Sequence, residues 1–372
     1  MRSSVLKGLI FLTWVAFVGI TTFVAARYWK GSELSSQESV LTPLQHPLPG
    51  LGFLLVQFKG EPPAPVNQWR QHLTSIHQDV SHYWTIQTYG KILGFQPPIF
   101  SKAITLERPE ENTDSVRKEL LQKALDQSGW GSDQLKSIDH LVLCYPSLSA
   151  DDTAWGEQGK VWLPDPSEVT ADHLAHEFGH ALGLGHVSST PLGAKLVNSS
   201  SPIASDPLFM MGQNIVNHIG RQQSGLLPPL PLPMRIQLGV VARNQIATVS
   251  KDGGQFRLYA FDEDSFVPEQ LFGVQVGPYL LSYAPSLKDV WNSQATDIYN
   301  SSLLVQTVRG KQTRTIDLTP RSKSSPLSDR FDAGLPLGKS SALPDTSFEV
   351  HVLSTGTDES GYLYLDIELR KK

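Results

Sequence analysis

His176-Glu177-Phe178-Gly179-His180-Ala181-Leu182-Gly183-Leu184-Gly185-His186 is the stretch on which the reading of this chain turns. Its pattern is H-E-x-x-H-x-x-G-x-x-H. A helix repeats every ~3.6 residues, so His176 and His180 fall one turn apart on one face. Two imidazoles placed in this way hold a single Zn2+ at ~2.0–2.1 Å each. Glu177 follows the first histidine and points off the ligand axis. There it stands beside the metal, positioned to take a proton from water as a general base. Gly183 lies three residues beyond His180. A helix that stops and turns sharply needs positive φ, which glycine adopts at no steric cost. The turn makes His186 the third ligand. Three protein ligands with an open fourth position are the pattern of catalytic zinc, whereas structural zinc is closed by four.

The flanks agree with a helix. Leu174, Phe178 and Ala181 recur at helical spacing on the face away from the ligands, and Ser167 or Thr170 is placed to cap the start. Downstream, Ser205-Asp206-Pro207-Leu208-Phe209-Met210-Met211-Gly212 carries the turn signals Asp-Pro and Gly. Met211, next to Gly212, is the methionine expected in that turn. Ordinary core filling is its other reading, since methionine packs irregular gaps.

With these residues the chain resembles the gametolysin-like metzincin peptidases, which pair HExxHxxGLGH with a turn of the form D-P-x-x-x-M-G. Thr88-Tyr89-Gly90-Lys91 resembles a further segment of that family, and more diffuse likeness spans most of residues 50–372. The resemblance implies a zinc endopeptidase. His176, His180 and His186 would be its ligands, Glu177 its base and Met211 the support beneath them. Lys160, Val161 and Trp162 would lie in the edge strand on which an extended substrate pairs. That strand also reads simply as the last of a sheet. Two departures stand out. Gly225 is followed by Leu226 where relatives often carry Trp, and no tyrosine occurs between Tyr145 and Tyr259. The sole cysteine, Cys144, sits in the apolar run Leu141–Tyr145 and reads as a buried small hydrophobe rather than a zinc-blocking thiol.

The 372 residues suffice for two domains, and the formal net charge of −5 is spread without blocks. No Lys/Arg cluster is interleaved with aromatics, which argues against a nucleic-acid partner. The basic lead Arg2–Lys7 precedes an uncharged apolar run over residues 8–26. Residues 1–30 therefore read as a signal peptide or a membrane anchor, and either places the body outside the cytoplasm.

Residues 31–49 read as a spacer and 50–227 as a metzincin-like catalytic domain of α/β (α+β) type. Its expected elements include a strand over Gly52–Phe58, an amphipathic helix through Trp69, Leu73, Val80 and Trp84, a helix over Val116–Leu125, and a strand over Ile138–Cys144. His72, His77 and His82 read as ordinary surface or half-buried imidazoles. Residues 228–238, with Pro228, Pro229, Pro231 and Pro233, read as an extended semi-rigid linker. Residues 239–372 show short alternating runs, such as Leu363, Leu365, Ile367 and Leu369, and read as an all-β antiparallel sandwich. A carbohydrate or surface ligand for that domain rests on fold analogy alone. Asn198 and Asn300 lie in N-x-S sequons. The expected partner is a protein or peptide substrate, cleaved with Zn2+. A surface-displayed binding protein with a vestigial metal site, and amide hydrolysis of a non-protein substrate, are the other readings.

Overall fold

A computed structural model describes residues 49–92, 94–191, 204–206, 209–212, 227–262, 269–285, 302–319 and 333–372. They belong to one compact unit, Gln45–Lys372. In chain order its elements are β1 (Leu51–Phe58), α1 (Val66–Gln87), β2 (Ile99–Leu106), α2 (Asp114–Gln127), α3 (Ser132–Lys136), β3 (His140–Tyr145), β4 (Trp155–Glu157), β5 (Lys160–Pro164), α4 (Ala171–Ala181), β6 (Val187–Pro191) and β7 (Ala204–Ser205). Then come α5 (Leu232–Gln237), β8 (Ile246–Thr248), β9 (Gly254–Tyr259), β10 (Gly273–Val276), β11 (Tyr279–Tyr283), β12 (Leu303–Arg309), β13 (Gln312–Asp317), β14 (Ser340–Ala342), β15 (Phe348–Thr357) and β16 (Leu363–Lys371). The chain is mixed α and β, rich in strand, with an α+β part and a β part.

Among the described residues three sheets form: β2-β1-β3-β5-β4, β7-β6-β13-β12-β11-β10-β8 and β14-β15-β16-β9. The first is parallel except for β4, which pairs antiparallel with β5. Its inner strand β1 is a near-continuous apolar run, as a strand covered on both faces requires. Leu54, Val56 and Leu143 face α2, whose Leu120, Leu121 and Ala124 complete a small core. Phe53, Leu55 and Val142 face the opposite way, toward Trp69, Leu73 and Trp84 of α1 and Phe178 of α4. Helix α2 begins at Thr113, whose hydroxyl accepts from Val116 N at 3.4 Å.

The seven-stranded sheet lies between two cores. Leu280 and Leu304 join the core shared with α1 and α4, while Leu281, Leu303 and Val305 join a second core with Val350, Val352, Leu365 and Ile367 of the four-stranded sheet. Successive residues Leu303, Leu304 and Val305 thus point alternately to the two cores, as the strand period dictates. The layers are therefore α2, five-stranded sheet, α1 with α4, seven-stranded sheet and four-stranded sheet.

Two expectations change. The proline-rich run is not an extended connector: residues 228–235 are buried, and Pro231 stands at the N-cap of α5 with Pro233 in its first turn. Proline lacks an N–H that the first helical turn has no use for, so these prolines start a helix instead of forbidding one. Nor is the β part wholly antiparallel or confined to residues after 238. β6 pairs parallel with β13, and β8 pairs parallel with β10. Among the described residues no helix is long and apolar enough to cross a membrane. The expected signal or anchor over 1–30 with its apolar run 8–26, residues 31–48 of the spacer, both sequons, and Gly225-Leu226 lie outside the described residues.

Candidate metal centre

Helix α4 carries His176, Glu177 and His180. Its N-cap is Thr170, though the hydroxyl bonds the Asp172 carboxylate instead of a backbone amide. Its end is a Schellman turn: Gly183 N donates to His180 O and Leu184 N donates to Gly179 O, both at 2.9 Å, with Gly183 at φ 90°. That reversal returns the chain so that His186 meets the two helical histidines. The candidate ligand atoms of His176, His180 and His186 all lie within 4.8 Å of one another.

The imidazoles are oriented from behind. His176 Nδ1 lies 2.8 Å from Met210 O and His180 Nδ1 lies 2.9 Å from Leu184 O. A carbonyl only accepts, so both rings carry their proton on Nδ1 and leave the Nε2 lone pair toward the shared centre. His180 Nε2 and His186 Nε2 are 3.1 Å apart. A tetrahedral ion with Zn–N near 2.0–2.1 Å spaces its ligands about 3.4 Å apart, so the donor set fits zinc. His186 is held through its backbone by the β12–β13 hairpin: Thr313 N donates to His186 O at 3.2 Å and Gly185 N to Lys311 O at 3.2 Å.

Electrostatics agree with neutral ligands. Burial, aided by the neighbouring His180 and His186 rings and opposed by the Met210 carbonyl, pushes His176 down to about 3. Burial and the His180 ring push His186 down to about 4, and burial lowers His180. Burial raises the Glu177 carboxyl to about 8. Glu177 is 5% exposed, and its Oε2 is buried without a hydrogen-bond partner.

Beneath the ligands, Met211 is wholly buried and its thioether lies against Gly179. Val187 N donates to Met211 O at 2.7 Å, which fastens the methionine turn to the strand that follows His186. Met210, passed over in favour of Met211, supplies the carbonyl that orients His176.

One expected site does not hold its position. Lys160, Val161 and Trp162 are not at the sheet edge: they pair with β3 on one side and with Glu157, Gly156 and Trp155 of β4 on the other. The edge is β4, three residues long and too short to register as a strand pattern. Gly156 is buried against α4, where a Cβ would stand 2.8 Å from His180 Cβ and 3.1 Å from Glu177 Oε2. The glycine lets the edge strand lie flat on α4. His173, also unremarked in the sequence, sits one turn before Glu177 with Nε2 3.7 Å from Glu177 Oε1.

No protein-family model matches the chain, and no curated protein matches it. Among solved structures it is similar to a chain of a chaperone–substrate complex, at 15% identity and a TM-score of 0.25, over 37% of this chain and 24% of that one. It is also similar to wild-type OgpA from Akkermansia muciniphila, at 14% identity and a TM-score of 0.33, over 67% of this chain and 75% of that one. The chain thus spans about a quarter of the length of the first of these.

Proposed function

We propose that this chain is a zinc-dependent endopeptidase of the metzincin type that hydrolyses extracytoplasmic proteins. The observation that carries the reading is the convergence of His176, His180 and His186 on one point with the buried Glu177 carboxyl beside them. When bound, Zn2+ supplies Lewis acidity to the scissile carbonyl and to the attacking water. His176 and His180 offer Nε2 because backbone carbonyls hold their Nδ1 protons. Glu177 takes the water's proton on its carboxylate and hands it to the leaving amine. Met211 and Gly183 hold the ligands and touch no reacting atom. The outer edge of β4, unpaired among the described residues, offers backbone groups to an extended peptide, while Lys160–Trp162 support that edge from inside.

Incubating the full chain with an unfolded protein substrate tests the proposal. Cleavage that a chelator abolishes and added Zn2+ restores is the expected result. Cleavage indifferent to chelator, or none with zinc bound, would contradict it.

A further inference from the structure

Glu177 is a buried carboxyl. Its Oε2 has no hydrogen-bond partner, and among the described residues the one ionisable side chain paired with it is His173. The terminal torsion of a glutamate is broad and roughly two-fold, so an unattended carboxylate samples orientations that misdirect a base. Bases in hydrolytic sites are oriented by a third group.

His173 occupies the position from which to do this. It precedes Glu177 by four residues on α4, where i and i+4 side chains lie one above the other. Its Nε2 stands 3.7 Å from Glu177 Oε1, just outside hydrogen-bond range, and such contacts tighten when a site is loaded. Its side chain is 28% exposed against 6% for Glu177, so the ring lies on the solvent side of the carboxylate. Burial holds the His173 imidazole below its ordinary range, with Asp172 opposing, which favours a neutral ring bearing a single N–H.

We propose that His173 is a positioning residue for Glu177: its Nε2–H donates to Oε1 and fixes which carboxylate oxygen meets the attacking water. The inference rests on the peptidase reading for its kinetic consequence but not for its geometry. The alternative is a His–Glu pair at successive turns that steadies α4 and has no part in turnover.

Two measurements on the full chain separate these. In the first, His173→Phe is expected to lower kcat about tenfold with KM and zinc per chain unchanged, and His173→Gln, which keeps a donor, recovers most of that loss. Equal kcat in wild type and His173→Phe would overturn the proposal, as would Gln and Phe variants that fall alike. The second needs no turnover. Nitrogen-15 imidazole spectra of the zinc-free chain should show His173 as the Nε2–H tautomer, with its Nε2 resonance displaced in Glu177→Ala. An unmoved resonance would overturn the pairing even if the chain proves to hydrolyse nothing, and a displaced one would sustain it in that case.

Discussion

The Met211 thioether rests on the Cα of Gly179, within the helix that carries both leading histidines. A Cβ on Gly179 would overlap Met211 Sδ and stand 2.8 Å from its Cε. The ligand helix and its floor are therefore in contact through a position where only hydrogen fits.

From this contact comes a non-additive pair. Gly179→Ala overpacks the floor and is expected to cost about 1–3 kcal/mol. Met211→Ala leaves a cavity and is expected to cost about 2–5 kcal/mol. In the double variant the new methyl group occupies space the methionine vacates, so the sum should overestimate the loss by at least about 0.5 kcal/mol. Denaturant unfolding of the four proteins checks this, and simple additivity would show that the two residues do not touch.

Gly183 isolates a backbone effect. Its φ is 90° and nothing lies within 4 Å of where a Cβ would be, so substitution there meets strain but no clash. Gly183→Ala should destabilise by about 1–2 kcal/mol and weaken zinc binding through His186. Gly183→Asn should cost less, because asparagine tolerates the left-handed region. Zinc affinity and unfolding free energy would be measured together. An alanine variant equal to wild type in both would contradict the turn's role.

The stability of the fold should fall in mild acid. Burial lowers both His77, against a backbone hydrogen bond with Gln96, and His140, against Asp139. Their folded pKa values lie below the unfolded value of about 6.5, so as pH drops through that value the unfolded chain takes up protons first. Stability is then lost as pH falls from 7 toward 5. The zinc-free wild type should unfold at lower denaturant at pH 5 than at pH 7, with a smaller difference in a His77→Gln, His140→Asn double variant. An equal difference in the two proteins would show that these imidazoles do not carry the effect.

Legibility followed the range of the interactions. The eleven residues His176–His186 are governed by helix period and one positive-φ turn, both local, so the meeting of the three histidines and the turn at Gly183 could be read from sequence. Met211 could be placed because Gly212 marked its turn. β4 was not readable, since three residues carry no period, and with it the true sheet edge and the need for Gly156 were missed. The burial of residues 228–235 depends on the core assembled from Leu230, Leu232 and Met234 with α1 and Leu304, distant in sequence. The pairing of β6 with β13 spans Val187 to Thr313 and has no local signal. His173 fits the helical spacing to Glu177, a signal present but indistinguishable from a surface pair until Glu177 was seen to be buried.

The proposed zinc-dependent hydrolysis is tested by zinc content together with cleavage of unfolded protein for the full chain and its Glu177→Ala variant. One zinc ion per chain is expected in both, with chelator-sensitive cleavage in wild type and none in the variant. A wild type that binds no zinc, a variant that still cleaves, or a zinc-loaded wild type that cleaves nothing would contradict it.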